Sequence, residues 1–317
     1  VRIAVVGAGA IGGFLAAALI KSGVSVAVVA RGTHLAAIQR NGIIVESDLG
    51  SFTARVEASD DLRTLGAFDA LLLTFKAHQW PEMLGQLRSR SGSSTDVVTL
   101  QNGLPFWYVR DPPLRSVDPG GAIGRLFPDD RVIGGVVHVS GETVAPGFVR
   151  QSGGLRYVLG GLSRGRDSRV ERLTTLFRKA GLAAESDPDI RATVWLKLVN
   201  NAGLNSVSVL RRATIKAMLA DPEARAQVRL VMSEALLVGQ AMKVVADVDV
   251  DARIDYAARL NDVKTSMLQD YEAGRRLELD PILGAVIELA ERHGVPVPNL
   301  RATYAALQQL TASQSSR

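Results

Sequence analysis

The sequence contains no cysteine, which excludes disulfides, thiolate metal sites and a cysteine nucleophile. Histidine is nearly as scarce: His34, His78, His138 and His293 show no metal-ligand spacing, and no metal is expected. Aromatic residues make up only 5%, so the run Phe106-Trp107-Tyr108 stands out. Neither sign of charge dominates. Lys plus Arg is 37 against 32 for Asp plus Glu, a net +5 scattered over 317 residues rather than gathered in a stripe. A nucleic-acid partner would call for such a stripe, so none is expected, and an anionic small ligand suits the balance equally well. One uncharged run, Ile3 to Ile20, resembles a membrane helix or signal peptide in length. Glycines at 7, 9, 12 and 13 divide it into an extended half and a helical half, so no membrane partner is expected and the cytoplasm is the expected location. What is present is a 47% apolar, 22% charged chain with material for two domains.

The first part of the chain alternates. Arg2–Val6, Ser25–Ala30, Ala70–Leu73 and Val97–Leu100 are short aliphatic runs that read as strands buried on both faces. Helical patterns at about 10–22, 33–41 and 79–90 separate them, as in βαβ units. Residues 43–57 suggest an extra hairpin, 131–161 stay strand-like, and a helix at about 168–180 ends at Gly181. After Asp187-Pro188, a helix start, the periodicity is helical to the end, at about 188–210, 221–244, 251–273, 281–293 and 299–312. The expected fold is therefore α/β: a Rossmann-type doubly wound sheet over 1–186, then an all-α domain over 187–317, with the cleft near 187.

Gly7-Ala8-Gly9-Ala10-Ile11-Gly12 is a G-x-G-x-x-G placed directly after a strand and at the opening of a helix. Its glycines permit a tight turn, close approach of a pyrophosphate and close helix–strand packing, and the helix start offers N–H donors to the anion. An NAD-binding fold carries an acid roughly 20 residues further on. Here Ala30-Arg31-Gly32 stands there instead, and an arginine suits a 2′-phosphate, so NADP(H) is the expected cofactor. Lys76 and Gln101-Asn102-Gly103 follow later strands, where ligands of open α/β sheets bind. Lys197, Asn201 and Asn205 recur at i, i+4, i+8 and share one face of an otherwise apolar helix. Asn is a poor helix former, which argues against a plain solvent stripe.

In this order the motifs resemble the ketopantoate reductases (2-dehydropantoate 2-reductases). The match runs from Gly7–Gly12 through Arg31, Lys76, Asn102 and Trp195-Leu196-Lys197 to Ser266-Met267-Leu268-Gln269-Asp270 and Glu278-Leu279-Asp280 with Gly284. The resemblance implies reduction of a 2-oxo acid to a 2-hydroxy acid with NADPH. Lys197 would be the general acid, oriented by Glu278. Asn102, Asn201, Asn205 and Ser266 would bind substrate. Gly7, Gly9, Ala10, Ile11, Gly12, Arg31, Lys76 and Asn102 would hold the cofactor. A homodimer is admitted by the same resemblance.

The chain departs from the family's pattern after Asn102-Gly103, where Leu104-Pro105-Phe106-Trp107-Tyr108 replaces small residues and a turn-rich stretch at 111–121 looks like an insertion. The rings either pack inward, leaving a pocket for ketopantoate, or line the pocket and admit a larger 2-oxo acid. Two other readings stay open: the oxidative direction on a hydroxy acid or amine, and a non-catalytic NADP(H) sensor.

Overall fold

The computed structural model describes residues 1–89, 94–259 and 262–315. They form two compact units, one of residues 1–101 and 121–190, the other of 102–120 and 191–317. The expected division at 187 is thus moved by a few residues, and one stretch changes sides: Asn102–Gly120 belongs with the helical unit. Its bulky residues pack there, a pairing that no local pattern announces.

The first unit is built on one sheet. Its strands are β1 (Arg2–Val6), β2 (Ser25–Val29), β3 (Ile43–Glu46), β4 (Phe52–Ala54), β5 (Glu57–Ser59), β6 (Ala70–Leu73), β7 (Asp96–Thr99), β8 (Val132–Ala145), β9 (Phe148–Gly161) and β10 (Ala183–Ser186). The order is β4-β3-β9-β8-β7-β6-β1-β2-β5, with β10 beside β9. From β5 across to β8 every pairing is parallel, whereas β8 and β9 form a long antiparallel hairpin. In β1, Ile3 and Val5 face the core shared with the first helix, and Ala4 and Val6, on the opposite face, are buried as well. Burial on both faces is why these strands are uninterrupted aliphatic runs. Among its described residues the helices lying wholly in this unit are α1 (Ala10–Lys21), α2 (Gly32–Asn41), α3 (Trp80–Arg88), α4 (Ala122–Leu126) and α5 (Ser168–Lys179).

The chain leaves β1 to one side, through α1 into β2, and later returns to the other side as β6. The carboxyl ends of β1 and β6 are therefore a topological switch point, where such sheets bind ligands.

The second unit is helical among its described residues: α6 (Ile190–Asn200, whose first residue falls in the first unit), α7 (Ser206–Arg211), α8 (Ile215–Ala220), α9 (Pro222–Ala241), α10 (Val250–Arg259), α11 (Ser266–Glu272), α12 (Ala285–His293) and α13 (Pro298–Ser315). Two wide π-helical turns interrupt the expected continuous helices, Asn201–Asn205 between α6 and α7, and Asp280–Gly284 leading into α12. Such turns recur at functional sites. Glu234 of α9 accepts from the backbone N–H groups of Asn299 and Leu300 at 3.0 and 2.8 Å, so a buried carboxylate caps the start of α13.

Candidate active site

The glycine turn lies at the switch point. Gly7 has φ +105°, and a Cβ on it would come within 2.6 Å of the Phe75 nitrogen, just beyond β6. A side chain at Gly12 would strike the Gly7 carbonyl and the Thr74 hydroxyl. The Thr74 hydroxyl donates to the Gly7 carbonyl at 2.7 Å, which ties the two strand ends together. Gly9 differs: a Cβ there would meet nothing within 4 Å. Packing thus demands glycine at 7 and 12 but leaves open space at 9, as a backbone that a ligand approaches closely would. Behind Gly9, α1 begins with no side-chain cap and no acid in its first turn, so Ala10 and Ile11 stand at an N-terminus electrostatically suited to an anion. The residues present fit a dinucleotide.

Arg31 stands immediately after β2 and pairs with Glu82 of α3, both side chains about half exposed. The guanidinium beside Glu82 holds that carboxyl below its ordinary range. Lys76 opens a short 3-10 turn after β6, with its backbone N–H donating to the Gln79 side chain at 3.0 Å.

In the second unit, Lys197 Nζ donates to Asn102 Oδ1 at 2.9 Å. Burial pushes the Lys197 ammonium down from 10.5 to about 8, against the pull of the Glu278 carboxylate, which raises it. Glu278 is itself buried. Sequence reasoning placed Lys197, Glu278 and Asn102 in one site, and the structure brings these three together.

Asn102 owes its position to the turn that follows it. Gly103 has φ +81°, and a Cβ there would lie 2.7 Å from Pro281 of the second π-turn, while the Leu104 N–H donates to the Pro281 carbonyl at 2.7 Å. The rings come next. The rings of Trp107 and Tyr108 meet at a tilt with centroids 5.7 Å apart, those of Tyr108 and Trp195 likewise at 5.9 Å, and Trp195 is two residues from Lys197 on α6. The Arg191 guanidinium lies over both Trp107 and Tyr108, and the Tyr108 hydroxyl donates to the Arg191 carbonyl at 2.9 Å. Trp107 and Trp195 are fully buried, so the aromatic cluster is core of the helical unit, as the inward-packing reading supposed. The 111–121 stretch is held too: Glu288 of α12 accepts from the backbone N–H groups of Arg115 and Ser116, both at 3.1 Å.

The expected stripe of Lys197, Asn201 and Asn205 needs correction. The π-turn over 201–205 breaks the 3.6-residue period, so Asn201 stays partly exposed while Asn205 is buried. Ser266 is exposed at the start of α11, whose preceding residue, Thr265, caps the helix through Leu268 and meets the Ser208 hydroxyl at 2.6 Å. The first π-turn packs against α9, α11 and the second π-turn, so these residues share a neighbourhood without direct hydrogen bonds to Lys197 among those described. Thr74, at the strand end that also carries Lys76, joins the site through its hydrogen bond to the Gly7 carbonyl.

Comparison with known proteins agrees with this geometry. The family model for "Ketopantoate reductase PanE/ApbA" matches residues 3–164, and that for "Ketopantoate reductase PanE/ApbA C terminal" matches 189–311. A 2-dehydropantoate 2-reductase of Mesorhizobium japonicum is 40% identical over 321 residues, covering 99% of this chain and 98% of its own. The crystal structure of 2-dehydropantoate 2-reductase from Geobacter metallireducens is 30% identical with a TM-score of 0.88, covering 98% of this chain and 99% of that one. A ternary structure of D-mandelate dehydrogenase with NADH and anilino(oxo)acetate shares the fold at a TM-score of 0.88 and 21% identity, covering 99% of each. Among the described residues, no helix is long and apolar enough to cross a membrane.

Proposed function

The chain belongs to the ketopantoate reductase family and is an oxidoreductase that reduces a 2-oxo acid, and from that premise we propose that its substrate is ketopantoate, its cofactor NADPH and its general acid Lys197. The observation that carries the reading is Lys197, held by Asn102, raised by Glu278 and lowered by burial to about 8. A lysine so tuned is still mostly protonated at pH 7, yet gives up its proton far more readily than an ordinary lysine.

NADPH, when bound, would supply the hydride for C2 of the oxo acid and would itself be oxidised to NADP⁺. The chain does the rest. Gly7–Gly12 and the start of α1 would hold the pyrophosphate, and Arg31, which pairs with Glu82, would hold the 2′-phosphate. Lys76 and Asn102 would line the cofactor, with the Asn102 oxygen accepting from Lys197 as well. Lys197 stabilises the negative charge growing on the carbonyl oxygen and delivers the proton that makes it a hydroxyl. Glu278 keeps Lys197 charged until then. Asn201, Asn205 and Ser266 bind polar groups of the acid, with Asn205 acting from a buried position.

Ketopantoate is favoured over a larger oxo acid because Phe106, Trp107 and Tyr108 are spent on packing and offer no aromatic lining. The experiment is NADPH oxidation measured across a panel of 2-oxo acids with ketopantoate as reference. We expect ketopantoate to give the highest kcat/KM. An aromatic oxo acid that exceeds it would overturn the substrate assignment, and an absence of turnover with every acid would favour the sensor reading.

A further inference from the structure

Outside the residues already assigned, one side chain reaches the glycine turn itself. His34 stands in the first turn of α2, three residues beyond Arg31. Its Nε2 lies 2.6 Å from the Ala8 carbonyl oxygen, inside the G-x-G-x-x-G turn. Its Nδ1 accepts from the Gly147 N–H at 3.0 Å, at the tip of the β8–β9 hairpin. A backbone N–H can only donate and a carbonyl can only accept, so the tautomer is forced: Nδ1 is bare and Nε2 carries the proton. The imidazole is a two-ended strut between the hairpin tip and the glycine turn.

The Ala8 carbonyl belongs to the Ala8–Gly9 peptide. In a trans peptide the C=O and N–H groups point to opposite sides of the chain, so fixing one fixes the other. With the Ala8 oxygen tied to His34, the Gly9 N–H is turned to the other side of the turn. Gly9 is the glycine whose Cβ position is open, and it is the N-cap of α1. Were the plane to rotate, the Ala8 oxygen would present negative charge where an anion is to be received. Ala8 is otherwise held by its own N–H, which donates to the Val29 carbonyl at 3.2 Å, and that bond leaves the following peptide plane free to turn.

We infer that His34 is a positioning residue for dinucleotide binding: it locks the Ala8–Gly9 peptide so that the glycine turn presents N–H rather than C=O to the pyrophosphate. The inference rests on the reading of Gly7–Gly12 as the cofactor turn. It does not depend on the choice between NADPH and NADH.

The test uses the whole chain with His34→Ala, His34→Gln and His34→Asn, titrated with NADPH, NADH and 2′-AMP. His34→Ala should weaken NADPH about tenfold, the upper range for loss of one neutral hydrogen bond. KM for NADPH should rise alike while kcat at saturating cofactor holds. Gln places its terminal amide near Nε2 and can still donate to the Ala8 carbonyl, so it should restore most of the affinity. Asn reaches only as far as Nδ1 and can serve Gly147 alone, so it should not. 2′-AMP, which carries the 2′-phosphate but no pyrophosphate, should bind all variants alike. Rescue by Asn as good as by Gln, or equal weakening of 2′-AMP, would reduce His34 to a hairpin support and overturn the inference. So would unchanged NADPH affinity in His34→Ala. If His34→Ala fails to fold, the Gln and Asn comparison decides alone. Wild-type protein that binds neither dinucleotide overturns the cofactor turn and the strut together. Equal binding of NADPH and NADH overturns only the role of Arg31.

Discussion

Lys197 works near its own titration point, and its rate should show this. Reduction needs the protonated amine, so kcat should be flat below about pH 8 and fall as pH rises through it. Glu278 raises that value, so in Glu278→Gln the fall should begin at lower pH, with kcat at pH 7 reduced as well. A pH–rate profile of the two proteins, taken where chemistry limits turnover, checks the order. Lys197→Ala should cost roughly 10²–10⁴-fold in kcat and leave NADPH binding nearly unchanged. At Arg31 the competition is visible in the structure, since Glu82 occupies the guanidinium. Glu82→Gln should tighten NADPH by roughly two- to fivefold, the scale of an exposed pair, and leave NADH where it was. Arg31→Asp should weaken NADPH by roughly tenfold to a hundredfold. Titration with both cofactors checks both substitutions. At this scale Lys197 and the glycines stand out in the sequence because their residue types are unusual where they stand, whereas Glu278 enters only through the family resemblance. His34 was not legible, because its partners lie 26 and 113 residues away.

Among the elements, the aromatic cluster carries the most mechanical consequence. Trp107 and Tyr108 lock the stretch after Asn102 onto α6, the helix that carries Lys197. Trp107→Ala should therefore destabilise the protein by roughly 3–5 kcal/mol. It should also lower kcat through a loosened Asn102–Lys197 bond, while the ratio of large to small substrates stays unchanged. Thermal unfolding alongside the oxo-acid panel separates these effects. Periodicity places α1, α2, α5 and the β1, β2, β6 and β7 strands within a residue or two, but it reads α10 and α11 as one helix over 251–273 and does not show the short helices α4 and α8. It failed at the π-turns, since a single inserted residue shifts a face without changing composition. It also missed β10, whose four residues alternate weakly and pair with a strand formed more than twenty residues earlier.

At the scale of the whole molecule, the expected order of an α/β half and a helical half holds, but the partition does not follow the chain. The polypeptide passes between the units at 101/102, 120/121 and 190/191. A fragment of residues 1–186 would carry Leu104, Phe106, Trp107, Tyr108 and Leu114 away from the core that buries them. It should aggregate on expression, whereas the same fragment with 102–120 replaced by a short polar linker should remain soluble. Comparison of the two by size-exclusion chromatography checks this. Local pattern could not reveal the partition, because the contacts that decide it, such as Tyr108 with Trp195, join residues far apart in sequence.

The threading of Asn102–Gly120 also bears on how such a protein can be recombined. A single crossover near 187 between two relatives would join one parent's Asn102 turn to the other parent's α6 and α12. Glu288 would then face a foreign backbone at 115 and 116, and Trp195 a foreign ring. The heritable module of catalysis is therefore two pieces of gene that must travel together, although seventy residues of another module lie between them.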